Sequence, residues 1–318
     1  RVLNPDGQQG SLTKSFTYTA DNFDKPAPQI SKLVPDRGPF SGGTVLVVWG
    51  NDFQPGAKVL IGGKPATVHV VEKGYATITT PKGFIGPADV TVLNPDGQGD
   101  SKGAGFTWNS PTLAKPKLLG ITPASGPEVG GSAVILTGSS FSGAGMGFVG
   151  YRPLSSWTVL NSAIATGSTI PGVSGKLDVV VTNGDGQSAT LTSAFDMVGA
   201  PRIDSFDPFV GATAGGTLIT IAGKNFSTKA AVTFGGKPAQ NVQVLSPFVI
   251  KVTTPVMNPG PAQLKVANPD GQSHTAAKAY LYVLPPQITS IFPATGSSAG
   301  GTPVIVRGKH FLKGAKVY

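Results

Sequence analysis

The sequence predicts an all-β chain of repeated small β-sandwiches, and three observations carry that expectation. The 318 residues include 44 Gly and 28 Pro but only two Glu, Glu72 and Glu128, a composition that disfavours helices and punctuates short strands. Hydrophobic residues still make up 39% of the chain, enough for packed cores, so the Gly and Pro content does not signal disorder. Landmarks also recur at one period. Gly42-Gly43, Gly130-Gly131, Gly215-Gly216 and Gly300-Gly301 stand 88, 85 and 85 residues apart, and Phe53, Phe141, Phe226 and Phe311 keep the same spacing. Self-similarity at a fixed period marks a repeat architecture.

Each copy resolves into elements in the same order. After the Gly-Gly pair, Leu46/Val48, Val134/Leu136, Ile219/Ile221 and Val304/Val306 alternate with Trp49, Thr137, Ala222 and Arg307, the period of a strand with one buried face. The Phe that follows three residues after the strand-closing Gly reads as core. A later strand shows the same alternation at Val90/Val92, Val179/Val181 and Leu264/Val266. Turns close these strands at Asn94-Pro-Asp-Gly-Gln98, Asn183-Gly-Asp-Gly-Gln187 and Asn268-Pro-Asp-Gly-Gln272, with a further one at Asn4-Pro-Asp-Gly-Gln8. There Pro presets φ, Asp bonds local backbone and Gly supplies a positive φ, which is hairpin chemistry. Short strands separated by such turns, in units of about 85 residues, predict sandwiches.

The landmarks divide the chain into complete units at 27–108, 116–198 and 200–283. The last hairpin of a preceding unit is expected over 1–20, and the opening strands of a following one over 285–318. Such partial end units expose unpaired edges, so the sequence reads as a window on a longer array, with strands lent by neighbouring molecules as the other way to complete the ends. The stretches Asp24-Lys-Pro-Ala-Pro28 and Ser110-Pro-Thr-Leu-Ala-Lys-Pro116 read as semi-rigid spacers. The two C-terminal joints are shorter and are expected to be the stiffer ones.

The repeated frame P-x-I-x-x-x-x-P-x-x-G-x-x-x-G-G-T-x-x-x-x-x-G-x-x-F, followed by V-x-F/I-G-G-K-P-A and N-P-D-G-Q, resembles the IPT/TIG family. It is clearest in Pro201-Arg-Ile203, Pro208, Gly211, Gly215-Gly216-Thr217, Gly223-Lys-Asn-Phe226, Val232-Thr-Phe-Gly-Gly-Lys-Pro-Ala239 and Asn268-Pro-Asp-Gly-Gln272. The resemblance implies early-set immunoglobulin-like sandwiches in a rod-like array. Of the settings known for the family, tandem copies without an attached enzyme or Cys-rich module are most similar to bacterial extracellular surface arrays. The 116–198 copy departs from the frame, with Met146-Gly-Phe-Val-Gly-Tyr-Arg-Pro153 in place of V-x-F/I-G-G-K-P and Gly184 in place of Pro, and is the candidate for specialisation.

The residues offer no catalytic constellation, and neither cofactor nor metal is expected. The absence of Cys excludes disulfides, thiolate metal sites and Cys nucleophiles. His69, His274 and His310 lie in different units at non-equivalent positions, which argues against zinc. One Asp per turn is too few oxygens for calcium. Gly145-Met-Gly147-Phe-Val-Gly150 fits a dinucleotide fingerprint but stands where other copies hold a strand and turn, without the helix that would receive a pyrophosphate. Gly296-Ser-Ser298-Ala-Gly300 fits a nucleophile elbow but is likewise followed by a strand. Asn225-Phe-Ser227 is a formal glycosylation sequon.

Charged residues make up 13% of the chain and the formal net charge is +9. Nearly all of the excess lies beyond residue 199, as singly spaced Lys in strands and turns, which reads as a solvated surface rather than a nucleic-acid footprint. The longest apolar runs, such as Val45-Leu-Val-Val-Trp49, fall far short of the roughly 20 residues that span a bilayer. Together these features predict a non-enzymatic structural or interaction protein, a bacterial cell-surface or fibre segment acting as repeat spacer, lattice element or adhesin stalk. Its expected partners are copies of itself or neighbouring surface proteins. A polysaccharide-binding array is the alternative, for which Trp49 and Trp108 are the aromatic candidates at outward or terminal strand positions. A DNA-binding or signalling module is the third reading.

Overall fold

A computed structural model describes residues 2–3, 8–10 and 25–317, and within them every regular element is a strand. The chain divides into two compact units, Arg1–Gly120, Ile135–Gly167 and Asp178–Leu191 in one, and Ile121–Val134, Ser168–Leu177 and Thr192–Tyr318 in the other. The hairpin expected over 1–20 lies largely outside the described residues. What is described there is a short antiparallel pair, Val2–Leu3 with Gln9–Gly10.

In the first unit the residues from 29 to 109 form two facing sheets. One runs in the order Gln29–Val34, Val45–Asn51, Tyr75–Thr79, Thr67–Glu72, all antiparallel. The other runs Arg37–Pro39, Gly99–Asn109, Gly86–Leu93, Lys58–Ile61, Lys64–Pro65, with the first pair parallel. Leu46, Val48, Ile61, Ile78, Val90 and Phe106 meet between them, so the alternation read after the Gly-Gly pair does point one set of side chains inward. In the same unit Met146–Val149 pairs antiparallel with Arg152–Pro153 and with residues 179–182. The dinucleotide-like glycines therefore sit on a strand and its turn.

The second unit repeats the plan. Arg202–Asp207, Leu218–Lys224, Val249–Thr253 and Gln240–Ser246 form one antiparallel sheet. The facing layer is split in two, Val210–Ala212, Tyr280–Val283, Gly260–Ala262 and Lys237–Pro238, Ala231–Phe234, Leu264–Ala267, Ser273–Thr275. Ser125–Pro127 runs parallel to residues 196–198, as Arg37–Pro39 does to 107–109. Gln287–Phe292 pairs with Ile305–Lys309. The first strand ends at a cis X-Pro bond in every copy, at Pro35, Pro123, Pro208 and Pro293.

The G-x-x-F spacing has a packing cause. A Cβ placed on Gly50 would lie 2.0 Å from the Gln29 carbonyl oxygen and 2.4 Å from the Phe53 ring; on Gly223 it would lie 1.9 Å from the Arg202 oxygen and 2.6 Å from Phe226. Gly is needed because the Phe ring folds back over the strand end against the first strand's backbone. Phe53, Phe141 and Phe226 are buried as expected for core, whereas Phe311 is half exposed.

Candidate functional site

The repeated Asn-x-Asp-Gly-Gln turns do more than reverse the chain. In three copies the Asn side chain ties down the loop that carries the repeat-periodic Phe, bonding the backbone on either side of that ring. Asn94 Oδ1 accepts from Gln54 N–H at 3.1 Å and its Nδ2 donates to Asp52 O at 2.9 Å. Asn183 does the same with Ser142 and Ser140, and Asn268 with Ser227 and Asn225. The turn's Asp then holds its Gln: Asp185 Oδ2 accepts from Gln187 Nε2 at 2.9 Å, and Asp270 Oδ2 from Gln272 Nε2 at 3.0 Å. At Asp96 the Gln98 backbone N–H is the main reason its carboxyl sits below the usual carboxylate range.

The Gln so held grips the incoming chain. Gln98 Nε2 donates to Lys25 O at 2.8 Å, Gln187 Nε2 to Leu113 O at 2.6 Å, and Gln272 Nε2 to Val198 O at 2.8 Å. Each acceptor lies in the segment that enters the copy, so the same amide fixes three successive joints. Leu113 N–H also donates to Asp185 Oδ2 at 3.3 Å. Hairpin chemistry does not require Gln at the fifth position. Its recurrence in every copy of the turn was the available signal for this role.

Both glutamates of the chain also serve joints. Glu128 Oε1 accepts from Ala200 N–H at 3.1 Å, and Asn225 Nδ2 donates to Ala200 O at 3.0 Å. Glu72 Oε1 pairs with Arg152 Nη2 at 2.8 Å, while Arg152 Nη1 donates to Tyr75 Oη at 3.2 Å. Tyr151 stacks on His69, and His69 Nε2 lies 2.7 Å from Thr79 Oγ1. Burial pushes the Tyr75 hydroxyl up and the His69 imidazole down from their ordinary values.

These contacts cover the outward face of the Val45–Asn51 sheet. Val45 N–H donates to Ser188 Oγ at 3.1 Å, and Thr182 Oγ1 donates to Val45 O at 2.8 Å. Val45 and Val47 are 5% and 0% exposed, although their alternation points them away from their own core. Ile135, at the position of Val47, is 47% exposed, and Leu218, at the position of Val45, is 60% exposed. The approach is close: a Cβ on Gly186 would lie 2.3 Å from Arg37 O.

The aromatic candidates separate. Trp108 is 4% exposed, edge-to-face on Phe106, and Gly83 packs so tightly that a Cβ there would lie 2.1 Å from the indole. Trp108 does lie at a strand end, in Gly99–Asn109, but as a candidate exposed aromatic for a sugar it is corrected. The strand's inward side carries the ring into the core and leaves no face for a sugar. Trp49 is half buried, tilted against Tyr75 at 5.5 Å. An open cleft of about 710 Å³ in the same unit is lined by Leu33, Asp36, Arg37, Asn109, Leu113 and Asp185 among others, without an aromatic ring. Among the described residues no three His, Cys, Asp or Glu gather as a metal site, and no helix is long and apolar enough to cross a membrane.

Facing sheets repeated along one chain, with polar side chains committed to joints, define a tandem immunoglobulin-like repeat protein. The family model for the IPT/TIG domain matches residues 28–108, 201–282 and 286–318, and the chain belongs to that family. The matched residues leave out the copy that departs from the frame. Human fibrocystin-L is 26% identical over 313 residues, covering 91% of this chain and 7% of that protein. Human plexin-B3 is 26% identical over 212 residues, covering 62% of this chain and 11% of that protein. The chain thus spans a small fraction of the relatives' length. A solved plexin A4 extracellular region is similar at 16% identity and a TM-score of 0.30, covering 93% of this chain and 29% of that one.

Proposed function

We propose that the chain is a non-enzymatic spacer and interaction segment of an extracellular surface or fibre protein, built of self-cored repeats at 27–108, 116–198 and 200–283. The observation that carries this reading is the repeated joint: Gln98, Gln187 and Gln272 each hold the entering backbone. Side chains that recur with the repeat are given to fixing one repeat to the next, which is the work of a spacer rather than of a cleft that turns over substrate. The extracellular setting is supported by kinship with plexins and fibrocystin-L, and its bacterial form by the uninterrupted, Cys-free copies alone. Exposed strand edges and solvated Lys-bearing faces are suited to contacts with further copies or neighbouring surface proteins.

Protease shaving of intact host cells, with the released peptides identified by mass spectrometry, tests the location. Sedimentation velocity across a concentration series tests self-association. The expected results are release of exposed loops such as the one carrying Phe84 and Ile85, and sedimentation that rises with concentration. Peptides released only after lysis, together with a concentration-independent monomer, would overturn the proposal.

A further inference from the structure

In the first unit one sheet face is covered, and the turn that covers it is the one that breaks the repeat frame. Elsewhere that turn reads Gly63-Lys64-Pro65 and Gly236-Lys237-Pro238; here it reads Tyr151-Arg152-Pro153. In the frame copies the Lys serves its own repeat, Lys64 Nζ donating to Lys82 O at 3.0 Å and Lys237 Nζ to Val256 O at 3.3 Å. Arg152 instead turns to Glu72 and Tyr75. Planar guanidinium chemistry suits that exchange, since one fork reaches a carboxylate and a phenol together. Tyr151 keeps the left-handed conformation of the glycines it replaces, φ 59° against 73° at Gly63 and 84° at Gly236. A non-Gly residue there carries a backbone cost, and the stack on His69 is what the side chain gains in return.

The receiving face is equally particular. Where the 29–79 sheet presents Val47, Tyr75 and Thr77, the corresponding strands of the second unit present Thr220, Val249 and Lys251, and there Thr220 and Lys251 are exposed. We propose that the face bearing His69, Glu72 and Tyr75 is a recognition surface for the Tyr151-Arg152 turn, so that this pair of neighbouring repeats is matched and holds one fixed angle. A repeat carrying Gly-Lys at the turn does not seat there. The divergence of the 116–198 copy is then an adaptation to its neighbour, and the order of repeats is written in the turn.

The chain has no Cys, so spin labels can be placed on the 318-residue chain carrying Phe84→Cys/Leu160→Cys, both exposed positions in the first unit. Pulsed dipolar spectroscopy should give one narrow distance. Tyr151→Gly/Arg152→Lys restores the frame sequence and relieves the positive φ, so the repeat should fold while the distance distribution broadens several-fold. His69→Ala/Glu72→Gln, on the receiving face, should broaden it likewise, and decides the matter if the first variant fails to fold. A broad distribution in the unmodified background, or a narrow one unchanged in the folded variants, would overturn the proposal.

Discussion

Tyr151 lies flat on His69, with ring centroids 3.8 Å apart and planes within 6° of parallel. The two residues come from neighbouring repeats, and the stack is flanked by the Arg152–Glu72 ion pair. Titration of the imidazole should make this contact pH-sensitive. The groups that meet the imidazole are Thr79 from its own sheet, at Nε2, and Tyr151 from the covering turn, on the ring face. Burial lowers the His69 pKa below its ordinary 6.5, so the undocked state binds the proton more readily. Stability contributed by the docked ring is present above pH 6.5 and is lost as pH falls from there through the depressed value. Denaturant midpoints for the first unit should decline across that window, and His69→Gln should flatten the decline.

The Gln joints should differ in weight. Gln272 is buried and Gln98 only half-buried, and a hydrogen bond shielded from water is costlier to lose. Gln272→Ala should destabilise by about 1 kcal/mol, near the net worth of a typical protein hydrogen bond, and Gln98→Ala by less. Urea unfolding followed by hydrogen exchange at residues 198–203 and 25–30 checks both.

Two glycines should respond differently to Ala. At Gly223 a Cβ meets the Arg202 carbonyl oxygen at 1.9 Å, and overpacking of that kind costs about 1–3 kcal/mol. Gly236 has nothing within 4 Å of the added atom but a φ of +84°, so Ala there should cost only the left-handed backbone term of about 1–2 kcal/mol. Phe226→Leu removes the ring at 2.6 Å but not the Arg202 oxygen, so most of the Gly223→Ala cost should persist in that background, and urea unfolding of the single and double variants checks it.

Trp108→Ala should cost about 3–5 kcal/mol, the usual effect of emptying a buried aromatic site. Trp49→Ala should act on the covered face instead, by loosening Tyr75. Glycan-array binding lost in Trp49→Ala alone would revive the polysaccharide reading.

The architecture is legible in the sequence because the repeats vary while their punctuation does not. Gly-Gly, G-x-x-F and the Asp-Gly turns mark positions where backbone geometry admits few residues, and a fixed period exposes them. What stays hidden lies between repeats. Strand alternation tells which side of Val45–Asn51 faces away from its own core, but a single strand carries no sign of a neighbour covering that side. Terminal strand positions carry weak alternation, so the sequence leaves the direction of Trp108 open; the ring turns inward where Gly83 and Gly62 leave room for it. Joint length, too, is silent about lateral contact. The longer joint around residues 109–117 is the one beside which Val45 and Val47 are buried. The departure at Tyr151-Arg152 is visible as a departure, and only the placement of His69, Glu72 and Tyr75 gives it a purpose.

A double-mutant cycle on His69→Ala and Tyr151→Gly, read by urea unfolding of the full chain, tests the matched joint most directly. Coupling of about 0.5–1.5 kcal/mol is expected, the range for stacked aromatic pairs in contact. Additivity within about 0.3 kcal/mol, as for distant independent sites, would contradict it.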